Sequence, residues 1–279
     1  MAPPYHLHPK RGTGMKKSLL EQCRYFLKDN LRKTIDFSQT DQSRGIGPPP
    51  VEKPFANDAI RIDLLPHGRW GDVKGTDLVV AMENRKSRRS YTDEPLTTNE
   101  LSFLLWATQG IRERISDGHA YRTVPSAGCR HAFETYLFVF NVTGIDEGLY
   151  RYLPVEHELL LEFTDDRMAE KIVTAAFGQA FLGKAAVTFI WTTIPYRMEW
   201  RYDMAAHKVI AIDAGHVCQN LYLACEAIGA GTCAVAAYDQ EAMDQFVRVD
   251  GTDEFVIYLA PVGKTQKKEV RSQHLKKQG

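Results

Sequence analysis

The chain has 279 residues, enough to bury a sizeable core without disulfide or metal staples, and at ~150 residues per domain it suggests about two domains. Hydrophobic residues make up 44% and charged residues 25%, which excludes a disordered chain, a collagen and a coiled coil. The 35 basic and 35 acidic residues cancel, so nucleic acid is not an expected partner.

The N-terminus carries basic residues and His6-x-His8, but no apolar block of signal-peptide type. Ser18-Leu-Leu-Glu21 has the form of a capping box. It opens a helix expected to run to about Arg32, with an apolar stripe of Leu20, Cys23, Leu27 and Leu31. The breaker-rich run Arg44-Gly-Ile-Gly-Pro-Pro-Pro50 follows, then Pro54 and Pro66, so residues 1–75 read as an extended arm and 76–279 as the folded domain. Asp77 caps a short helix, Leu78–Asn84. Thr97-Thr-Asn-Glu100 is a capping box for a helix that Gly110 closes. Glu134–Phe140 reads as a buried strand, and Gly148–Tyr152 with Glu158–Phe163 as a hairpin around Pro154. A helix is expected from Asp165 or Asp166 to about Ala180, then a strand over Ala185–Thr192 and a long helix from about Ala206 to Ile228. Thr232–Ala236 and Glu254–Ala260 read as strands, with a helix over Asp239–Phe246 between them. Strands and helices mix without strict alternation, which makes the fold class α+β. The longest uncharged apolar stretches, Ala185–Pro195 and Ala227–Tyr238, fall short of the ~20 residues of a membrane helix, so a cytoplasmic protein without a membrane partner is expected.

Five cysteines, an odd number without a C-x-x-C, argue against a disulfide framework or a zinc ribbon. Cys218 and Cys225 share a helix face with Ala214, Leu221 and Ile228 and read as core. No metal site is expected.

Three stretches carry candidate chemistry. Arg85-Lys-Ser-Arg-Arg-Ser-Tyr91 ends a predicted helix, where its cations either relieve the helix dipole or clamp a phosphate, a group guanidinium binds bidentately. Val124-Pro-Ser-Ala-Gly-Cys-Arg130 places small residues before a strand, where a flat ligand can approach the backbone. Asp213-Ala-Gly-His-Val-Cys-Gln-Asn220 leads to Gly229-x-Gly231 and the small-residue run Cys233–Ala237. Here the helix precedes the glycines, the reverse of the dinucleotide-binding order, and P-loop, hydrolase and zincin signatures are absent.

Taken in order, these stretches resemble the nitroreductase superfamily of FMN-dependent oxidoreductases, and most closely its SagB-type dehydrogenase branch. The resemblance spans about residues 77 to 263 and also rests on Leu105-Trp-Ala-Thr-Gln-Gly-Ile111 and Gly148-Leu-Tyr-Arg-Tyr152. It implies a mainly antiparallel sheet flanked by helices, in an intertwined homodimer with FMN at the interface. It also implies hydride transfer from NADH or NADPH to a small-molecule substrate. By the same resemblance, Arg85 and Ser87 hold the FMN phosphate and ribityl chain, and Arg89 lies near the pyrimidine edge. Ser126, Ala127 and Gly128 form the loop beside the ring, and Arg130 follows Cys129, which stands where many relatives have Asn. Ala237 matches the backbone position meeting flavin N5. Lys264, Lys267, Lys268 and Arg271 are candidates to complete the phosphate site. At Arg201-Tyr202 the azoline-oxidising members carry Lys-Tyr; the tyrosine stays as a proton donor, but arginine is a poor general base. The alternative reading is an azoline (thiazoline or oxazoline) dehydrogenase acting on a modified peptide with a peptide-modifying partner.

Overall fold

In this computed structural model, the structure describes residues 14–71 and 73–266. In chain order the helices and strands are α1 (Gly14–Phe26), β1 (Arg61–Asp63), α2 (Leu78–Asn84), α3 (Thr98–Gln109), β2 (Ile111–Ser116), β3 (His119–Arg122), β4 (Phe133–Val139), β5 (Gly148–Leu153) and β6 (Glu158–Phe163). There follow α4 (Met168–Ala175), β7 (Val187–Thr193), α5 (Tyr196–Tyr202), α6 (Ala206–Ala227), β8 (Ala230–Thr232), α7 (Gln240–Val247) and β9 (Phe255–Lys264).

Seven strands form one sheet in the order β1-β6-β5-β4-β7-β9-β8, and each neighbouring pair is antiparallel. β2 and β3 form a separate hairpin. The central strands β4 and β7 are buried along their whole length. Their side chains alternate between two cores, as the two-residue period of a strand requires. Phe133, Leu137, Val139, Phe189 and Trp191 pack with Leu101, Leu104 and Leu105 of α3 and Val217, Cys218 and Leu221 of α6. Tyr136, Phe138 and Ile190 turn to the other face, against Ile172 of α4 and Met243 and Val247 of α7. This is the expected α+β architecture of a mainly antiparallel sheet flanked by helices.

Several local expectations match closely. The Asp77 carboxylate accepts from Val79 N and Val80 N at the start of α2. Thr97 and Glu100 form the reciprocal capping box of α3, and Gly110 follows its end. The Cys218–Cys225 stripe is buried core.

Others need correction. The first helix covers Gly14–Phe26 rather than Ser18 to Arg32, so Ser18 lies inside it, and Leu31 begins a separate 3-10 turn. Leu20 and Leu27 stay exposed, so the predicted stripe meets no core among the described residues. A short helix without such packing is marginal and ends at Phe26, ahead of turn-forming Asp29 and Asn30. α4 stops at Ala175 rather than near Ala180, because Phe177 and Gly178 adopt positive φ. Their amides return to Thr174 and Val173, closing the helix. The predicted strand over Thr232–Ala236 is displaced to Ala230–Thr232, and beyond it only Val235 bridges to Leu259. β1, the β2–β3 hairpin and α5 are additional elements that periodicity does not reveal. β1 has three residues, and five of the six in β2 are exposed, so neither shows an alternating pattern.

Candidate functional site

α6 lies across the larger core, and its polar side chains hold two loops. Near its start, Asp213 is buried and accepts from the Ala127 amide at 3.1 Å. Burial raises the Asp213 carboxyl above its ordinary pKa, while the hydrogen bonds from Ser126 and Ala127 pull the other way. Nine residues on, about 13 Å along the axis, Tyr222 holds the arginine-rich stretch. Its hydroxyl accepts from the Ala234 amide at 2.9 Å and bonds Ser87 Oγ at 3.0 Å, and the Arg85 guanidinium lies 5.3 Å from its ring centre. Glu226, one turn further, pairs with Arg88 at 3.1 Å.

Residues 85–92 run beside the sheet edge. The Arg88 amide donates to Thr232 O and the Thr92 amide to Lys264 O, both at 2.9 Å. Two glycines permit this approach. A methyl group at Gly231 would strike the Arg88 side chain, and one at Gly263 would lie 2.7 Å from Tyr91 Cγ. Between this stretch and Thr265 and Gln266 lies a cleft of about 450 Å³. Of the four cations from Arg85 to Arg89, only Arg88 forms an ion pair among the described residues. Arg89 lies 5.8 Å from the Phe181 ring centre, and Gln179, in the same turn, donates to Ala237 O at 2.8 Å. Tyr222 therefore links Arg85 and Ser87 to Ala234, and the 179–182 turn touches both Arg89 and Ala237.

Ser126, Ala127, Gly128, Arg130, Arg201 and Tyr202 form a second cluster. The loop is tightly coiled: Gly128, Cys129 and His131 have φ of 58°, 54° and 46°. A methyl group at Gly128 would lie 2.6 Å from the Tyr202 hydroxyl and 2.8 Å from Arg201 Nε, so the end of α5 rests directly on this glycine. Ser126 Oγ accepts from the His131 amide at 3.0 Å. Arg130 is buried, donates to Gly128 O and Gly118 O, and stacks 4.9 Å from the Trp200 ring centre. Burial lowers its pKa, and the neighbouring Arg201 adds to the shift.

Lys264 lies elsewhere. Its ammonium is buried against Glu100 and donates to Ile228 O at 2.8 Å, away from the cleft. Lys267, Lys268 and Arg271 lie outside the described residues.

Sequence reasoning misses Tyr222, Gln179 and Gln42. Tyr222 lies two residues after the quoted α6 motif and shares its helix, which is a usable signal; the other two carry none. Gln42 reaches α5 from the N-terminal segment: its side chain accepts from Arg201 Nη1 at 3.0 Å, and its amide donates to Trp200 O at 2.9 Å. Trp200 Nε1 donates to Ile46 O, and Tyr196 donates to Asp41. Residues 41–46 thus back the helix carrying Arg201 and Tyr202.

The sequence pattern of the Nitroreductase family matches residues 82–264, which include both clusters. MJ1384 of Methanocaldococcus jannaschii, a nitroreductase by name, is 31% identical over 193 residues, covering 69% of this chain and 93% of that one. A nitroreductase-named crystal structure from Anabaena variabilis superposes with a TM-score of 0.63 at 24% identity, covering 77% of this chain but 43% of that one. The chain therefore spans less than half the length of that structure. The McbBCD microcin synthetase complex of E. coli, solved with truncated pro-MccB17 bound, contains a chain of similar fold. Its TM-score is 0.54 at 14% identity, covering 92% of this chain and 95% of that one. With the family pattern spanning about two thirds of the chain and a 31% identical relative covered over 93% of its length, the protein belongs to the nitroreductase family.

Proposed function

We propose that the protein is an FMN-dependent oxidoreductase acting on a small organic molecule, with NADH or NADPH as electron donor. The observation that carries this reading is the donor set of the first cluster. Arg85, Lys86 and Arg89 form no ion pair among the described residues; Lys86, Ser87 and Arg89 line the cleft, and Arg85 lies over the ring of Tyr222, whose hydroxyl bonds Ser87. Guanidinium groups left unpaired beside a cleft fit a phosphate dianion. Arg85 and Ser87 hold the phosphate and ribityl chain, Arg89 lies toward the pyrimidine edge, and the 234–237 segment supports the ring. The chemistry FMN supplies when bound is hydride transfer between a nicotinamide donor and an acceptor.

The protein groups bind, orient and supply protons. Tyr202 has no hydrogen-bond partner among the described residues and is placed to donate a proton beside Gly128. Arg201 orients charge, since arginine is a poor general base. The two clusters lie at different levels of α6, and we propose that a homodimer apposes the first cluster of one protomer to the second of its partner. Exposed Leu78, Val79, Val80 and Met82 on α2, beside an apolar groove of about 430 Å³, fit such an interface. Completion of the phosphate site falls to Arg271 or its neighbours, because Lys264 is spent on Glu100. Residues 1–75 act as an arm on the 76–279 domain, and the protein is cytoplasmic. No helix among the described residues is long and apolar enough to cross a membrane.

Anaerobic addition of NADH or NADPH to the purified protein is expected to bleach a visible flavin spectrum. A flavin that stays oxidised with both overturns the nicotinamide donor, and a colourless protein that FMN cannot reconstitute overturns the cofactor. Arg85→Ala is expected to purify with less than about a tenth of the wild-type flavin, since a charge-assisted phosphate contact is lost. A second reading, azoline oxidation on a modified peptide, draws on the fold shared with the McbBCD complex. Formation of an aromatic azole from a thiazoline peptide would select it.

A further inference from the structure

Arg201 and Arg130 both face the Gly128 loop, and neither has an acidic partner among the described residues. Arg201 donates only to the neutral Gln42 Oε1, at 3.0 Å, and stacks 5.5 Å from the Tyr202 ring centre. Arg130 donates to two backbone carbonyls and stacks on the Trp200 ring. The nearby carboxylates are engaged elsewhere. Asp213 holds the Ala127 amide, Glu199 pairs with His207, Asp203 accepts from the Met204 amide, and Asp41 accepts from Tyr196. Among the described residues, Nε and Nη2 of Arg201 and Nη1 of Arg130 have no hydrogen-bond partner, and the Tyr202 hydroxyl adds a neutral donor beside them.

The two guanidiniums border the same loop closely enough that Arg201 helps push the Arg130 pKa down, so they repel each other. The arrangement becomes favourable when an anion bridges them, and a planar carboxylate matches the guanidinium fork. Gln42 orients Arg201 without neutralising it, which an acidic residue would do. We propose that the acceptor taken at this face carries a carboxylate, which Arg201 grips beside Arg130 while the Tyr202 hydroxyl points at the part being reduced. The inference rests on the oxidoreductase reading above but names its substrate class: an aromatic or unsaturated carboxylic acid. The same donors would also accept the pyrophosphate of a nicotinamide dinucleotide, so the test must separate the two.

The experiment is calorimetric titration of the purified, flavin-quantified protein with 4-nitrobenzoate and with its uncharged analogue 4-nitrobenzamide. Heat of binding needs no turnover, so the result stands apart from the flavin-bleaching test: loss of bleaching with a retained carboxylate preference overturns the nicotinamide donor alone. The benzoate is expected to bind about ten- to hundredfold more tightly than the amide, the range for hydrogen bonds to a charged group. Arg201→Gln should bring that ratio close to one. Arg201→Lys, which keeps a point charge without the fork, should keep part of it, and Gln42→Ala should lower it less than Arg201→Gln. Thermal melts identify any variant that fails to fold, and the Gln42 and Lys variants then carry the test. Equal affinity of the two ligands for the wild type, or a ratio unchanged in Arg201→Gln, overturns the proposal. So does an Arg201→Gln protein that loses NADPH binding while keeping the preference for benzoate.

Discussion

At the scale of single residues, one phenol ties the candidate cofactor site together. The Tyr222 hydroxyl accepts from the Ala234 amide and bonds Ser87, while its ring lies under Arg85. Ser87 and the Ala234 amide, 147 positions apart in sequence, therefore meet on one oxygen atom. Tyr222→Phe keeps the ring and the cation–π contact but leaves the Ala234 amide and the Ser87 hydroxyl without that partner. The loss is expected to cost about 1 kcal/mol of stability, the net worth of a typical hydrogen bond. Because Ser87 is then free to rotate away from the cleft, FMN affinity should fall about tenfold, which is about 1.4 kcal/mol of binding free energy. Fluorescence titration of FMN into apoprotein measures this directly, and an unchanged dissociation constant would remove Tyr222 from the site.

At the scale of elements, α6 acts as a spine. Its apolar side packs on the sheet through Val217, Cys218 and Leu221, while Asp213, Tyr222 and Glu226 reach loops on either side. The arginine-rich stretch is pressed between this helix and the sheet edge, and Gly263 of β9 sets how closely it can lie. Gly263→Ala would push a methyl group to 2.7–2.9 Å from the Tyr91 side chain, whose hydroxyl is anchored by bonds to Arg88 O and Pro261 O. Overpacking of this kind costs about 1–3 kcal/mol. A lowered melting temperature with reduced flavin retention is expected, and a variant with wild-type values for both would show that the stretch is not held by β9. Elements of this kind differ in how far the sequence reveals them. Asp77, Thr97 with Glu100, and Asp239 each mark a helix start, because a cap is settled within four residues. The arginine motif and the Ser126–Gly128 loop are legible as chemistry for the same local reason. Their grouping is not. Gln42 meets Arg201 across 159 positions, and Lys264 is drawn away from the cleft by Glu100, 164 positions earlier. Such pairings depend on where the sheet places each strand end, which periodicity does not encode.

At the scale of the whole molecule, a buried charged layer joins the N-terminal segment to the sheet. Glu134 of β4 pairs with Arg197, lies 3.9 Å from Arg151 and accepts from the Lys53 amide. Arg151 also donates to Lys53 O, and Arg122 donates to Val51 O, so residues 51–54 are strapped across the sheet by three basic and acidic side chains rather than by a strand. Within reach of this layer sits His131, 3% exposed, between the second cluster and Arg122. Burial lowers its pKa first, Arg122 and Arg130 add to the effect, and together they push it from 6.5 down to about 2. The folded protein therefore keeps this ring neutral, whereas the unfolded chain takes up a proton as pH falls below 6.5. The sign follows: the unfolded state binds more protons, so the stability from this group is complete above pH 6.5 and is lost progressively as pH falls toward 2. Between pH 7.5 and 5.5 the loss should be about 1.4 kcal/mol. Urea unfolding at the two pH values tests this against His131→Asn, a substitution that tolerates the φ of 46° at this position. The variant, lacking a titrating ring, should lose about 1.4 kcal/mol less than the wild type over that interval. An equal pH dependence in the two proteins would mean that His131 is protonated in the folded state, and the cationic surroundings ascribed to the second cluster would then be wrong.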